Sequence, residues 1–130
     1  MRSPPSKTYI AVVDDDESMC RSLARLLQAA DYQPVTFLSG GAFLQDKKRP
    51  QFDCLIFDIQ LNGTSGIDLY RRLCDEGISA PVIFLSAEED AVSAYGAEVD
   101  SSRMVFMHKQ EVAEVLLSVI RDLISVSTGP

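Results

Sequence analysis

Long hydrophobic runs are missing from this chain: none approaches the roughly 18 residues that a membrane-spanning helix needs. Met1-Arg2-Ser3-Pro4-Pro5-Ser6-Lys7 leads into only five apolar-type residues, Tyr9 to Val13, before three aspartates. A secretory core needs about 7–15, so no signal peptide is expected and the expected location is cytoplasmic. Positive charge is also short, with 12 Lys+Arg against 19 Asp+Glu and a net charge of −7. That balance argues against nonspecific nucleic-acid binding by this chain. Cys20, Cys54 and Cys74 are odd in number and lack CxxC spacing, so buried reduced thiols are expected. The single histidine, His108, has no second His or Cys nearby. It is expected to be an exposed loop residue and not a metal ligand. Gly63-Thr64-Ser65-Gly66 is followed by no Gly-Lys-Ser/Thr, which removes the phosphate-loop signal for nucleotides.

What is present is the balance of a soluble globular protein: 46% hydrophobic and 24% charged residues in a chain of 130. That length suits one domain, burying about two-thirds of its unfolded surface. Five short apolar runs, Tyr9–Val13, Val35–Leu38, Cys54–Phe57, Val82–Leu85 and Met104–Met107, do not alternate with polar residues. They read as strands buried on both faces. Helical stripes lie between them: Met19, Leu23, Leu26, Leu27 and Ala30; then Ile67, Tyr70 and Cys74, flanked by Leu69 and Leu73. Val112, Val115, Leu116, Val119 and Leu123 form the clearest stripe. Ser39 suits the N-cap of a helix through Phe43 and Leu44, and a further helix is expected over Ser86 to Tyr95. Such alternation predicts an α/β fold: a five-stranded parallel sheet with helices on both faces. The flavodoxin-like order 2-1-3-4-5 is expected over residues 8–125, with residues 1–7 and 126–130 as tails.

In that order the winding reverses between the first and third strands, and ligands bind beyond the strands' carboxyl ends there. The first strand runs into Asp14, Asp15 and Asp16, the third into Asp58, the fourth into Ser86, and the fifth into His108 and Lys109. Carboxylates brought that close repel unless a cation sits among them. Hard oxygen ligands at an open site suit Mg²⁺. A lone aspartate beside the metal is then a candidate nucleophile for phosphoryl transfer. Lys109 would supply positive charge and Ser86 a hydroxyl. Asp16 and Glu17 read as first-turn acids complementing a helix dipole. Glu88, Glu89 and Asp90 have the same reading one helix later, and Lys47-Lys48-Arg49-Pro50 reads as a solvated loop.

These residues resemble the receiver domains of two-component response regulators. VVDDDES (12–18) is similar to that family's acidic pocket, and DCLIFDIQLNGTSGIDL (53–69) to its phosphoacceptor segment. Gly66 matches the glycine that opens the following helix. PVIFLSA (81–87) is similar to the strand carrying the family's hydroxyl, and FMHK (106–109) to the strand with its aromatic and lysine. The resemblance implies a CheY-like, three-layer fold and phosphorylation of Asp58 by a partner sensor histidine kinase. It implies Mg²⁺ held by Asp14, Asp15, Asp58 and the Gln60 backbone carbonyl. It also implies a switch pair, Ser86 and Phe106, with Lys109 as counter-charge. A homodimer through the fourth helix, fifth strand and fifth helix is the expected readout. Glu88 takes a position that borders the phosphate in this family.

The chain departs from the family pattern at Asn62-Gly63, where a proline-containing turn is common. Ala97–Arg103 lacks the usual Gly-Ala, and Gln110 replaces the usual proline after the lysine. A trans Lys109–Gln110 bond is therefore expected, with an altered loop and Lys109 still pointing toward Asp58. Three rival functions draw on the same residues. A phosphohydrolase of the haloacid-dehalogenase type would need an acid where Gln60 stands, and the length leaves no room for a substrate cap. A flavin-binding electron carrier would place a phosphate against Asp14, Asp15 and Asp16. A degenerate receiver, acting only as a binding module, would not need the intact acidic set.

Overall fold

The computed structural model describes residues 7–46, 51–87 and 104–127. Five strands form its main sheet: β1 (Tyr9–Val13), β2 (Gln33–Phe37), β3 (Cys54–Asp58), β4 (Val82–Ser86) and β5 (Met104–His108). All pair in parallel, in the spatial order β2-β1-β3-β4-β5. The helices are α1 (Glu17–Ala29), α2 (Gly40–Gln45), α3 (Gly66–Asp75) and α4 (Val112–Ser127), the last entered through a 3-10 turn at Lys109–Glu111. The helix expected over Ser86 to Tyr95 lies outside the described residues, apart from Ser86 and Ala87. The same is true of Glu88 and its acidic neighbours, of Ala97–Arg103 and of the loop at 47–50.

Side chains of each inner strand alternate between two apolar layers. Ala11, Val13, Leu55, Phe57, Val82 and Phe84 face α2 and α3 residues such as Phe43, Leu69 and Leu73. Ile10, Val12, Cys54, Ile56, Ile83 and Leu85 face Leu23 and Leu27 of α1 and Leu116 and Ile120 of α4. This double coverage is why β1, β3 and β4 carry no polar alternation. The edge strands differ from the expectation of full burial: β2 and β5 are half-exposed along most of their length. Being edges, they extend past the helix layers. β2 also starts at Gln33, ahead of its apolar run, and contains Pro34, which an edge strand tolerates.

Helix phases required small corrections. In α1 the buried line is Cys20, Leu23 and Leu27, with Met19 and Leu26 beside it. In α3 it is Ile67, Leu69, Tyr70 and Leu73, so Cys74 turns outward and is exposed. A ten-residue helix with apolar residues on two adjoining rows leaves its inward row to the sheet's packing. In α4, Val112, Leu116 and Ile120 are innermost, and Val115, Val119 and Leu123 are partly buried. This helix runs to Ser127, two residues past the expected limit at 125. Ser39 Oγ accepts the Ala42 N–H at 3.0 Å, the expected N-cap of α2.

One element was unforeseen. Gln60–Leu61 and Thr64–Ser65 form a small antiparallel hairpin with Asn62-Gly63 at its tip. Gly63 has φ +85°, a left-handed conformation that glycine adopts without strain. Ser65 ends the hairpin and caps α3, its Oγ accepting the Asp68 N–H at 3.0 Å.

Candidate functional site: an acidic edge with one lysine

Parallel register brings the acids together. Val13 of β1 pairs with Phe57 of β3, so the next residues, Asp14 and Asp58, emerge side by side. Both are buried, Asp14 to 1% exposure and Asp58 to 6%. Asp14 is tied to the neighbouring strand through its N–H, which donates to the Phe37 carbonyl at 3.1 Å. The two carboxylates are held alike. Asp14 Oδ1 accepts the Asp16 N–H at 2.9 Å, and Asp58 Oδ1 accepts the Gln60 N–H at 3.1 Å. Their other oxygens face the same ammonium. Lys109 Nζ lies 3.1 Å from Asp58 Oδ2 and 3.3 Å from Asp14 Oδ2.

The electrostatics follow from that crowding. Burial pushes the Asp14 carboxyl above its ordinary value, and the Asp58 charge adds to it; the Asp16 N–H and Lys109 pull the other way. Burial alone would lower the Lys109 ammonium. The charges of Asp14 and Asp58, with the hydrogen bond to Asp58, outweigh it and raise the lysine instead. The lysine therefore keeps its proton at neutral pH.

Asp14, Asp15 and Asp58 each offer an oxygen within 4.8 Å of the others. Asp14 Oδ2 is buried without a hydrogen bond of good geometry. Three carboxylates against one ammonium leave two negative charges over, which a divalent cation matches. A hard cation such as Mg²⁺ fits this donor set. Asp16 and Glu17 are not in the cluster. Asp16 is the N-cap of α1, its Oδ1 accepting from Ser18 and Met19, and Glu17 pairs with Arg21 on the exposed surface.

The remaining predicted residues surround this edge. Ser86 is buried at the end of β4, paired in register with His108. His108 is thus the last residue of β5 and half-buried, not a loop residue, because the strand outlasts its apolar run by one position. Phe106 is half-buried, its ring 5.2 Å from that of Phe84, which meets Tyr70 at 5.9 Å. Gln60 begins the hairpin two residues after Asp58. The described peptide bonds are all trans, Lys109–Gln110 included, and Lys109 points toward Asp58 from a tight 3-10 turn.

Two close partners of the site were missed in the sequence. Cys20 Sγ donates to the Asp14 carbonyl at 3.3 Å, and burial pushes its thiol up to about 11, so it stays a donor. Its place six residues after Asp14, on the inward row of α1, was the available signal. Glu111 Oε1 accepts the His108 N–H at 3.1 Å. An acid three residues past the end of a strand, at the start of a helix, is half of a capping box.

Comparison with known proteins agrees with this geometry. The family model "Response regulator receiver domain" matches residues 10–121. Response regulator protein TmoT of Ectopseudomonas mendocina is 31% identical over 93% of this chain and 54% of its own length. TodT of Pseudomonas putida is 32% identical over 88% of this chain and 50% of its own. The chain spans about half the length of the curated relatives it matches. A response regulator receiver domain from Clostridium thermocellum shares the fold, with a TM-score of 0.80, 22% identity and coverage of 92% of this chain and 96% of that one. On these grounds the chain belongs to the receiver domains of two-component response regulators.

Proposed function

We propose that Asp58 accepts a phosphoryl group from a phosphohistidine of a partner sensor histidine kinase. The observation that carries this reading is the pairing of Asp58 with Lys109 at 3.1 Å, at the buried acidic edge where the winding reverses. An Asp58 oxygen attacks phosphorus; the P–O bond forms as the P–N bond to imidazole breaks. The nitrogen keeps the electron pair and takes up a proton from water. Lys109 offsets the charge that the new phosphoryl oxygens bring, and the Ser86 hydroxyl donates to one of them. Asp14, Asp15, Asp58 and the Gln60 carbonyl would hold Mg²⁺, which when bound neutralises the acidic cluster and withdraws charge from the phosphoryl oxygens.

Ser86 then moves toward the phosphoryl group, and Phe106 follows into the space it leaves. Burying more of that ring contributes at most about 1.5–3 kcal/mol, enough to bias a two-state equilibrium tenfold or more. The readout is homodimerisation through a face that includes β5 and α4. The unit spans about residues 8–125 and acts as a cytoplasmic switch that turns over only its own aspartyl phosphate. It acts without membrane or nucleic-acid contacts of its own.

Intact-mass spectrometry after incubation with acetyl phosphate and Mg²⁺ tests the assignment. One phosphoryl group per chain is expected, and none in Asp58→Asn. Stoichiometric uptake by Asp58→Asn would overturn it.

A further inference from the structure

We propose that Glu111 is a positioning residue for Lys109: by accepting the His108 N–H it fixes the turn from which the lysine reaches the acidic edge. This rests on the roles given to Asp58 and Lys109 above. β5 is an edge strand, and His108, its last residue, pairs with Ser86 on one side only. The chain must then turn at once, because α4 begins at Val112. Lys109 opens the single 3-10 turn that makes the connection.

From there its ammonium has to lie between two carboxylates, 3.1 Å from one and 3.3 Å from the other. A shift of the turn loosens both contacts together. The loops after β1 and β3 are each locked by a carboxylate bonded to an N–H two residues ahead, Asp14 to Asp16 and Asp58 to Gln60. The turn after β5 has a corresponding lock that runs backward, from Glu111 Oε1 to the His108 N–H at 3.1 Å. Glu111 is exposed and belongs to neither apolar layer, so truncating it leaves no cavity.

The test is the rate of phosphorylation by acetyl phosphate at saturating Mg²⁺, read by intact mass, in Glu111→Ala, Glu111→Gln, Lys109→Ala and the Lys109→Ala/Glu111→Ala pair. Glu111→Ala is expected to be about fivefold slower, the equivalent of one lost cap. Glu111→Gln keeps an acceptor oxygen and is expected to stay within about twofold of the parent. In the Lys109→Ala background, Glu111→Ala is expected to add nothing, since the residue it positions is gone. An unchanged rate in Glu111→Ala overturns the proposal. So does Glu111→Gln as slow as Glu111→Ala, which would make the effect one of charge. A fivefold loss that persists without Lys109 overturns it as well. An unslowed Lys109→Ala variant instead removes the role of Lys109 itself, and is told apart because it needs no change at Glu111.

Discussion

Single atoms decide how much this site tolerates. A Cβ on Gly66 would run into the carbonyl oxygen of Asp58 and press on Phe57, while the Gly66 N–H donates to the Ile59 carbonyl at 2.8 Å. Gly66→Ala is therefore expected to cost about 1–3 kcal/mol, read from the denaturant midpoint. The displaced Asp58 should lose phosphorylation rate on the order of a hundredfold. A variant with parental stability and rate would mean the backbone relaxes freely there. Asp14 carries a second residue-scale prediction. Its folded pKa is raised, so its ionised form is disfavoured in the native state and stability falls as pH rises through that pKa. Without Mg²⁺, Asp14→Asn should be more stable than the parent at pH 7 by about 1–2 kcal/mol. The gain should vanish below the unfolded pKa, where both forms are neutral. Urea midpoints across pH measure this; a gain that grows toward acid would reverse the sign.

At the scale of elements, the sequence was most legible where burial is complete. β1, β3 and β4 stand out as apolar runs because helices cover both their faces, and their ends place Asp14, Asp58 and Ser86. The edges were less legible: Gln33 and Pro34 look like loop residues, yet β2 begins with them. The hairpin was hidden because each arm is two residues long, too short for a period, although Asn62-Gly63 is a turn dipeptide. The outward turn of Cys74 depended on which of two apolar rows the sheet would take, a tertiary matter. Lys109 follows the last apolar run and lies against Asp58, but the Glu111 bond that holds its turn became visible only with side chains in place. Asp16 offers a test that separates cap from ligand. Asp16→Ala removes the acceptor for two N–H groups of α1 and should cost about 1 kcal/mol in thermal unfolding. Its Mg²⁺ affinity, read by fluorescence or calorimetry, should stay close to the parent's, whereas Asp15→Ala should bind weakly. Equal losses in the two variants would put Asp16 in the metal site.

For the molecule as a whole, thiol chemistry reports how tightly the layers close. Cys74 is exposed, whereas Cys20 and Cys54 are buried. Burial pushes the Cys54 thiol up to about 12, so thiolate is scarce even at mildly alkaline pH. A chromogenic disulfide reagent should titrate one thiol per native chain and all three in denaturant. Cys54 opens β3 beside Ile10 of β1, in the layer under α1 and α4, so its labelling should follow global unfolding. A second thiol reacting quickly in the native protein would reveal an opening of that layer well below the global free energy.

The close packing of Gly66 on Asp58 has a mechanical meaning as well. The first residue of α3 is wedged against the peptide that carries Asp58, and β1 and β4 pair with that strand on either side. The Asp58 backbone is thus a stator, bolted to the sheet and to a helix at once. Any motion that a phosphoryl group starts must be taken up by parts mounted less firmly. On the function proposed above, those are the side chains of Ser86 and Phe106.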